Sequence, residues 1–203
     1  MFNSARYDTP WRLSASLPPE RIRTARLVLR CWQPDDAALF HAAFASSREY
    51  VGAWVPPALD EPSGLHAIAL RLARFRDEFR SGVCFVYAIF DREGVEVLGE
   101  AGLMPRVGEG ALEIGYWIRV ERAGQGIATE ATRALTSAGF ALPEVHRIEV
   151  HCDAANAPSV AVPRKLGYRV VRGPATQPPA SGTPCGDTVV FALTAPEWRG
   201  LPE

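Results

Sequence analysis

Residues 112 to 129 read LEIGYWIRVERAGQGIAT, and a strand gives way to a helix inside them. Leu112–Val120 has the apolar content of a strand. Gly124 and Gly126 then interrupt the chain, and the alanine-rich segment from Gly126 to Phe140 carries Ile127, Ala131, Leu135 and Ala138 on one side, as a helix requires. A glycine turn between strand and helix leaves backbone N–H groups pointing outward at the positive end of the helix, which suits an anion. Gly124 and Gly126 would let a phosphate approach the backbone closely, and Ala128 and Thr129 are small enough for the helix to sit tightly on the sheet. A plain strand-to-helix turn that happens to use two glycines accounts for the same residues, so the turn alone leaves both readings open. A dinucleotide fingerprint would need glycine where Thr129 stands, and a P-loop would need Gly-Lys-Ser/Thr, which is absent.

On the N-terminal side of this stretch, residues 1–20 are polar and proline-punctuated and read as an arm. RTARLVLRCW, from Arg23 to Trp32, alternates Leu27, Leu29 and Cys31 against arginines and predicts a strand. Pro34-Asp35-Asp36 opens a helix striped by Ala37, Phe40 and Phe44. The segment from Tyr50 to Pro57 is aromatic and ends in two prolines. Leu65, Ile68, Leu72, Phe75 and Phe79 mark an amphipathic helix from Gly64 to Arg80, whose arginine-rich face is expected in water. Val83–Phe90 and Val95–Met104 precede Leu112–Val120 across short turns, which predicts an antiparallel meander.

On the C-terminal side, His146–Cys152 reads as a strand and Asn156–Leu166 as a short helix closed by Gly167. Tyr168–Arg172 and Thr188–Leu193 read as the last strands, separated by a Gly/Pro/Ser/Thr-rich loop over 173–187. The order implies an α+β or α/β mixed sheet in which one strand–helix–strand crossover creates a single parallel pair. Residues 21–203 are expected to form one domain.

The 203 residues carry a net charge of −1, which argues against nucleic-acid binding by bulk charge. Lys165 is the one lysine among many arginines. Cys31, Cys84, Cys152 and Cys185 show no C-x-x-C spacing, so no metal site is expected. No signal-like or membrane-spanning segment is evident, and a cytoplasmic location is expected.

A second element extends the reading of the glycine turn. Asn156-Ala157-Pro158-Ser159 follows the next strand, and Lys165-Leu166-Gly167-Tyr168 follows that. Together with Ala123-Gly124-Gln125-Gly126-Ile127-Ala128, this resembles the GNAT superfamily of acyl-CoA-dependent N-acetyltransferases. The opening RTARLVLRCWQPDDA and the Ile114-Gly115-Tyr116-Trp117 run are similar to the RimJ/RimL-like branch, which acetylates ribosomal-protein N-termini. The likeness spans about Arg21 to Trp198.

The resemblance implies a GNAT-like fold, with the parallel strand pair splayed around acetyl-CoA as co-substrate and no metal. It implies that Ala123, Gly124, Gln125, Gly126, Ile127, Ala128 and Thr129 hold the pyrophosphate. Backbone groups at Ile118 and Val120 would hold the pantetheine arm from one side and Asn156 from the other, with Lys165 and Ser159 in the same motif. Two positions depart from the family pattern. Ala123 replaces the usual Gln or Arg, with Arg122 one residue earlier. Pro163 replaces a tyrosine that many members use as general acid, and it removes a helix hydrogen bond, so a kinked or late-starting helix is expected.

Acetyl transfer needs a polarised thioester, a neutral amine and a stabilised departing thiolate. Glu113 matches the strand glutamate that serves as base in several GNAT enzymes. Glu100, on the neighbouring strand, competes for the amine, and Asp187 and His151 stand further off. A solvated sheet face explains Glu113 and Glu100 equally simply. Ser159 is the hydroxyl that the motif offers the thiolate, and helix capping explains it as simply. Trp54, with Tyr50, Pro56 and Pro57, lies in the segment that walls the acceptor groove in the family. The expected partners are acetyl-CoA and a primary amine, with no nucleic acid or membrane, in a monomer or homodimer. The acceptor stays open between a protein N-terminus, a free amino acid or polyamine, and an aminoglycoside. A non-catalytic acyl-CoA-binding module is the alternative of a different class.

Overall fold

The computed structural model describes residues 11, 13, 16–54, 64–174 and 185–199. Within them the chain forms β1 (Arg21–Arg23), β2 (Leu27–Cys31), α1 (Ala37–Ala45), α2 (Arg48–Trp54), α3 (Leu65–Arg80), β3 (Phe85–Asp91), β4 (Val97–Met104) and β5 (Ala111–Ile118). It continues with α4 (Ile127–Phe140), β6 (Arg147–Asp153), α5 (Ala157–Lys165), β7 (Arg169–Arg172), β8 (Thr188–Thr194) and α6 (Ala195–Arg199). The expected elements form close to their expected bounds. The pass along the sequence did not set out the short β1, α2 and α6 as separate elements. Pro56, Pro57 and most of the 173–187 loop lie outside the described residues. So does most of the expected arm, although Leu13 is buried and Pro19 accepts a hydrogen bond from the Tyr87 hydroxyl at 2.9 Å.

The strands make one mixed sheet in the order β1-β2-β3-β4-β5-β6-β8-β7. The meander is antiparallel from β1 through β5, β5 and β6 are parallel, and β8 returns antiparallel against both β6 and β7. Two apolar layers cover its faces. Leu29, Tyr87, Leu103, Ile114 and Ile148 meet Ile127, Ala131 and Leu135 of α4 on one side. Val28, Val86, Phe90 and Trp117 meet Phe40, Phe44, Leu72 and Phe75 of α1 and α3 on the other. Phe40 and Phe44 both set edges against Trp117, with ring centroids 6.2 and 5.2 Å apart.

The position of the site follows from where two strands part. The β5–β6 pairing runs from Ala111↔Arg147 to Ile114↔Val150 and ends there. Beyond it, β5 keeps pairing with β4 as far as Gly99↔Ile118, while β6 follows β8 to Asp153↔Thr188. The two strands therefore diverge past Gly115 and His151. The strand expected to reach Val120 stops at Ile118. The Arg119 N–H still bonds back to the Leu98 carbonyl at 2.9 Å, and Val120–Arg122 then tighten into a single 3-10 turn.

The arginine-rich face of α3 is not wholly solvated. Arg71 is buried, 3.6 Å from Glu100, and its guanidinium lies over the Phe75 and Phe40 rings. No helix among the described residues is long and apolar enough to cross a membrane.

Candidate active site

The gap between β5 and β6 opens into a cavity of about 230 Å³. Tyr116, Trp117 and Ile118 of β5 form one wall, and Asn156, Pro158, Ser159 and Val162 at the start of α5 form the other. The glycine turn adds Ala123, Gly124, Gly126, Ile127, Ala128 and Thr129 to the lining. Tyr50, Val51 and Trp54 of α2 line it as well, with Lys165 and Arg122. The structure thus brings together most of the residues that the sequence had grouped.

The turn owes its shape to glycine. Gly126 caps α4 at φ 78°, in the left-handed region that L side chains avoid, and Gly124 sits at φ 76°. A Cβ at Gly124 would meet nothing within 4 Å, and one at Gly126 would meet only the Arg26 guanidinium at 3.4 Å. The first bond of α4 runs from the Glu130 N–H to the Gly126 carbonyl at 3.0 Å. The N–H groups of Ile127, Ala128 and Thr129 therefore precede the helical ladder, at the positive end of its dipole, beside the cavity. This backbone cradle fits a pyrophosphate.

Arg26 stands behind the turn, and the sequence assigned it no role there, its stretch being read as a strand and as part of the family resemblance. Its Nε meets Glu130 at 2.6 Å and its Nη1 donates to the Gln125 carbonyl at 3.0 Å, which places a cation against the turn. The Thr24 hydroxyl and the Arg26 N–H also bond to Glu130, at 2.6 and 3.0 Å. Partial burial raises the Glu130 pKa, but these donors outweigh it and hold the carboxyl below its ordinary range. The β1–β2 turn is thereby tied to the first turn of α4.

Two expected cofactor contacts need correction. Val120 is exposed and off the cavity lining, and its N–H is taken by the Ser47 hydroxyl at 3.1 Å. The Gln125 side chain reaches back to the Glu121 carbonyl rather than toward the lining. Arg122, expected to offset Ala123, reaches the cavity while paired to Glu96 at 2.6 Å.

Asn156 caps α5, its Oδ1 accepting the Ser159 N–H at 3.1 Å. Its amide NH₂ is the part left to face a ligand. Helix α5 begins on time at Ala157 despite Pro163. Tyr116, unassigned by the sequence reading, donates its hydroxyl to the Ser159 carbonyl at 3.1 Å. Burial, then the nearby Cys152, push the Tyr116 phenol well above its ordinary pKa, and a hydrogen bond from the Ser159 side chain pulls the other way. Burial and the Asp153 carboxylate push the Cys152 thiol up to about 12, so it stays a thiol.

The two carboxylates proposed for the amine have different surroundings, and neither lines the cavity. Glu100 is fully buried. It accepts from Trp32 Nε1 at 2.7 Å and Trp117 Nε1 at 3.3 Å and pairs with Arg71. It fixes the indole of a cavity-wall residue and does not reach an acceptor, which corrects its reading as a substrate contact. Glu113 lies on the same sheet face as Trp117, below the point where the strands part. Arg106 grips both of its oxygens, one through Nε at 2.8 Å. His151 Nδ1 stands 3.8 Å from Glu113, and His151 Nε2 lies 2.6 Å from Glu149. The sequence showed the carboxylates but not this cluster. Among the described residues no group of three or more His, Cys, Asp or Glu could hold a metal ion.

Residues 26–169 match the family model described as an acetyltransferase (GNAT) domain. The chain is 28% identical over 190 residues to the ribosomal protein uS5-alanine N-acetyltransferase of Escherichia coli strain K12, covering 91% of this chain and 95% of that protein. Among solved structures, Mycobacterium smegmatis RimJ in complex with CoA-disulfide superposes with a TM-score of 0.70 at 25% identity, over 87% of this chain and 84% of that one. The microcin C7 self immunity acetyltransferase MccE, in complex with acetyl-CoA and AMP, superposes with a TM-score of 0.74 at 14% identity, over 89% and 99%. At that identity the second likeness concerns the fold alone.

Proposed function

The chain belongs to the GNAT acetyltransferase family and is an acetyl-CoA-dependent N-acetyltransferase, and from that premise we propose that its acceptor is the N-terminal amine of a protein of the ribosomal class. The likeness to the uS5-alanine enzyme along 91% of the chain is the observation that carries this reading. The lining of the cavity supports it, since the anion cradle and the aromatic residues Tyr50 and Trp54 of α2 face the same space. We take residues 21–203 as one acyl-CoA N-acyltransferase domain and place the protein in the cytoplasm with its substrate.

Acetyl-CoA supplies an activated acetyl thioester. The chain's own residues bind and orient it and handle protons. The turn from Ala123 to Thr129, with Arg26 behind it, receives the pyrophosphate. The backbone at Ile118 and the Asn156 amide hold the arm between the parted strands. Ser159 faces the cavity where a departing sulfur would need a proton donor. Glu113 is proposed as the acceptor of the amine proton, through water or His151, because it lies on β5 on the same sheet face as the cavity-wall residue Trp117. Trp54 and Tyr50 flank the incoming chain end.

The test is a panel of amines. The protein is incubated with acetyl-CoA and an alanine-initiated peptide, the same peptide with a blocked N-terminus, a polyamine and an aminoglycoside, while free thiol and product mass are followed. Thiol release with a single acetyl mass on the open peptide, and none on the blocked one, is expected. Turnover confined to the aminoglycoside or polyamine would replace the protein acceptor with a small molecule.

A further inference from the structure

In an α-helix the carbonyl of residue 159 expects the N–H of residue 163. Here residue 163 is proline, inside α5, and it has no N–H to give. The carbonyl is nevertheless satisfied. The Tyr116 hydroxyl crosses the cavity from β5 and donates to it at 3.1 Å. Tyr116 and Ser159 are thus joined across the gap between the strands, 43 residues apart in sequence. At its other end Ser159 is held by its N–H bond to Asn156 Oδ1 at 3.1 Å.

We infer that Tyr116 is a positioning residue, whose hydroxyl supplies the hydrogen bond that Pro163 withholds and so fixes the Ser159 turn against the cavity. The inference rests on the proposed role of Ser159 toward the departing sulfur. It also explains how α5 tolerates a proline in its body. A half-buried carbonyl left without this partner loses a hydrogen bond worth about 1 kcal/mol unless water replaces it. The tyrosine therefore also ties α5 to β5 on the two sides of the gap. With the hydroxyl gone, the carbonyl at 159 would seek water in the cavity, and the first turn of α5 would loosen.

The inference predicts coupling between two residues that are remote in sequence. In the ligand-free chain, Tyr116→Phe should lower Tm by about 2–4 °C, the shift that one lost hydrogen bond gives at this chain length. With acetyl-CoA and the alanine-initiated peptide it should lower kcat about tenfold and change KM for acetyl-CoA by less than about twofold. Pro163→Ala restores a backbone N–H to the carbonyl and should leave both readouts near wild type. In Tyr116→Phe/Pro163→Ala most of the lost Tm and kcat should return. In a Ser159→Ala background, Tyr116→Phe should lower kcat no further. Equal losses from Tyr116→Phe with proline or alanine at 163 would overturn the inference at Tyr116. A normal kcat in Ser159→Ala would overturn it through the role of Ser159, whatever the Tm values show.

Discussion

Glu113 is held by Arg106 through both carboxylate oxygens, beside an imidazole that Glu149 also engages. A carboxylate held in this way is oriented before an amine arrives. Glu113→Gln keeps its size and loses that function. General-base contributions are about 10²–10⁴-fold. Because aliphatic amines are mostly protonated at neutral pH, the deficit should be largest near pH 7. It should shrink as the pH rises and the acceptor arrives neutral, and pH–rate profiles of both enzymes would read this directly. A parallel profile, or none lower than wild type, would leave water as the proton acceptor. In the sequence Glu113 and Glu100 are two acids on neighbouring strands, and only the family resemblance favours Glu113. What separates them is tertiary: two tryptophan N–H groups and Arg71 converge on Glu100, and no local spacing encodes that convergence. The same holds for Tyr116, whose role depends on a carbonyl far along the chain and on a proline between them.

Among the elements, those with a strong period or a punctuating residue were legible. The stripe from Leu65 to Phe79 placed α3, the paired glycines placed the start of α4, and Gly167 placed the end of α5. The end of β5 was not legible, because Val120 is apolar and continues the strand pattern. It leaves the sheet because the Ser47 hydroxyl takes its N–H. Helix α4 carries the consequence that is simplest to measure. Its Glu130 receives Thr24 and Arg26, and its pKa is lower in the folded chain than unfolded. Such a carboxylate adds stability above its unfolded pKa, and that contribution disappears as pH falls through the lower folded value. The Tm advantage of wild type over Glu130→Gln should hold through neutral pH and fade below about pH 4. An advantage that persisted unchanged into that acid range would mean that the carboxylate charge is not what ties β1–β2 to α4.

At the scale of the whole molecule, one sheet carries two apolar layers, and the reaction is assigned to the place where its parallel pair opens. That architecture was legible from the order of elements, since a single crossover yields a single parallel pair. How far the pair stays together was not, because it depends on β4 and β8 drawing β5 and β6 apart. The central claim is that the glycine turn at the end of this opening holds the pyrophosphate of acetyl-CoA. The most direct measurement is calorimetric titration of CoA into wild type and Gly126→Trp, with melting curves for both. At φ 78° a side chain is strained, and the left-handed conformation costs about 1–2 kcal/mol, so the variant should melt a few degrees lower, at about 2–4 °C per kcal/mol, and still fold cooperatively. Its indole would crowd the turn beside the backbone N–H groups of Ile127, Ala128 and Thr129 and the Arg26 guanidinium, and no heat of CoA binding should be seen where wild type binds. A folded Gly126→Trp protein that binds CoA with wild-type affinity would contradict the account.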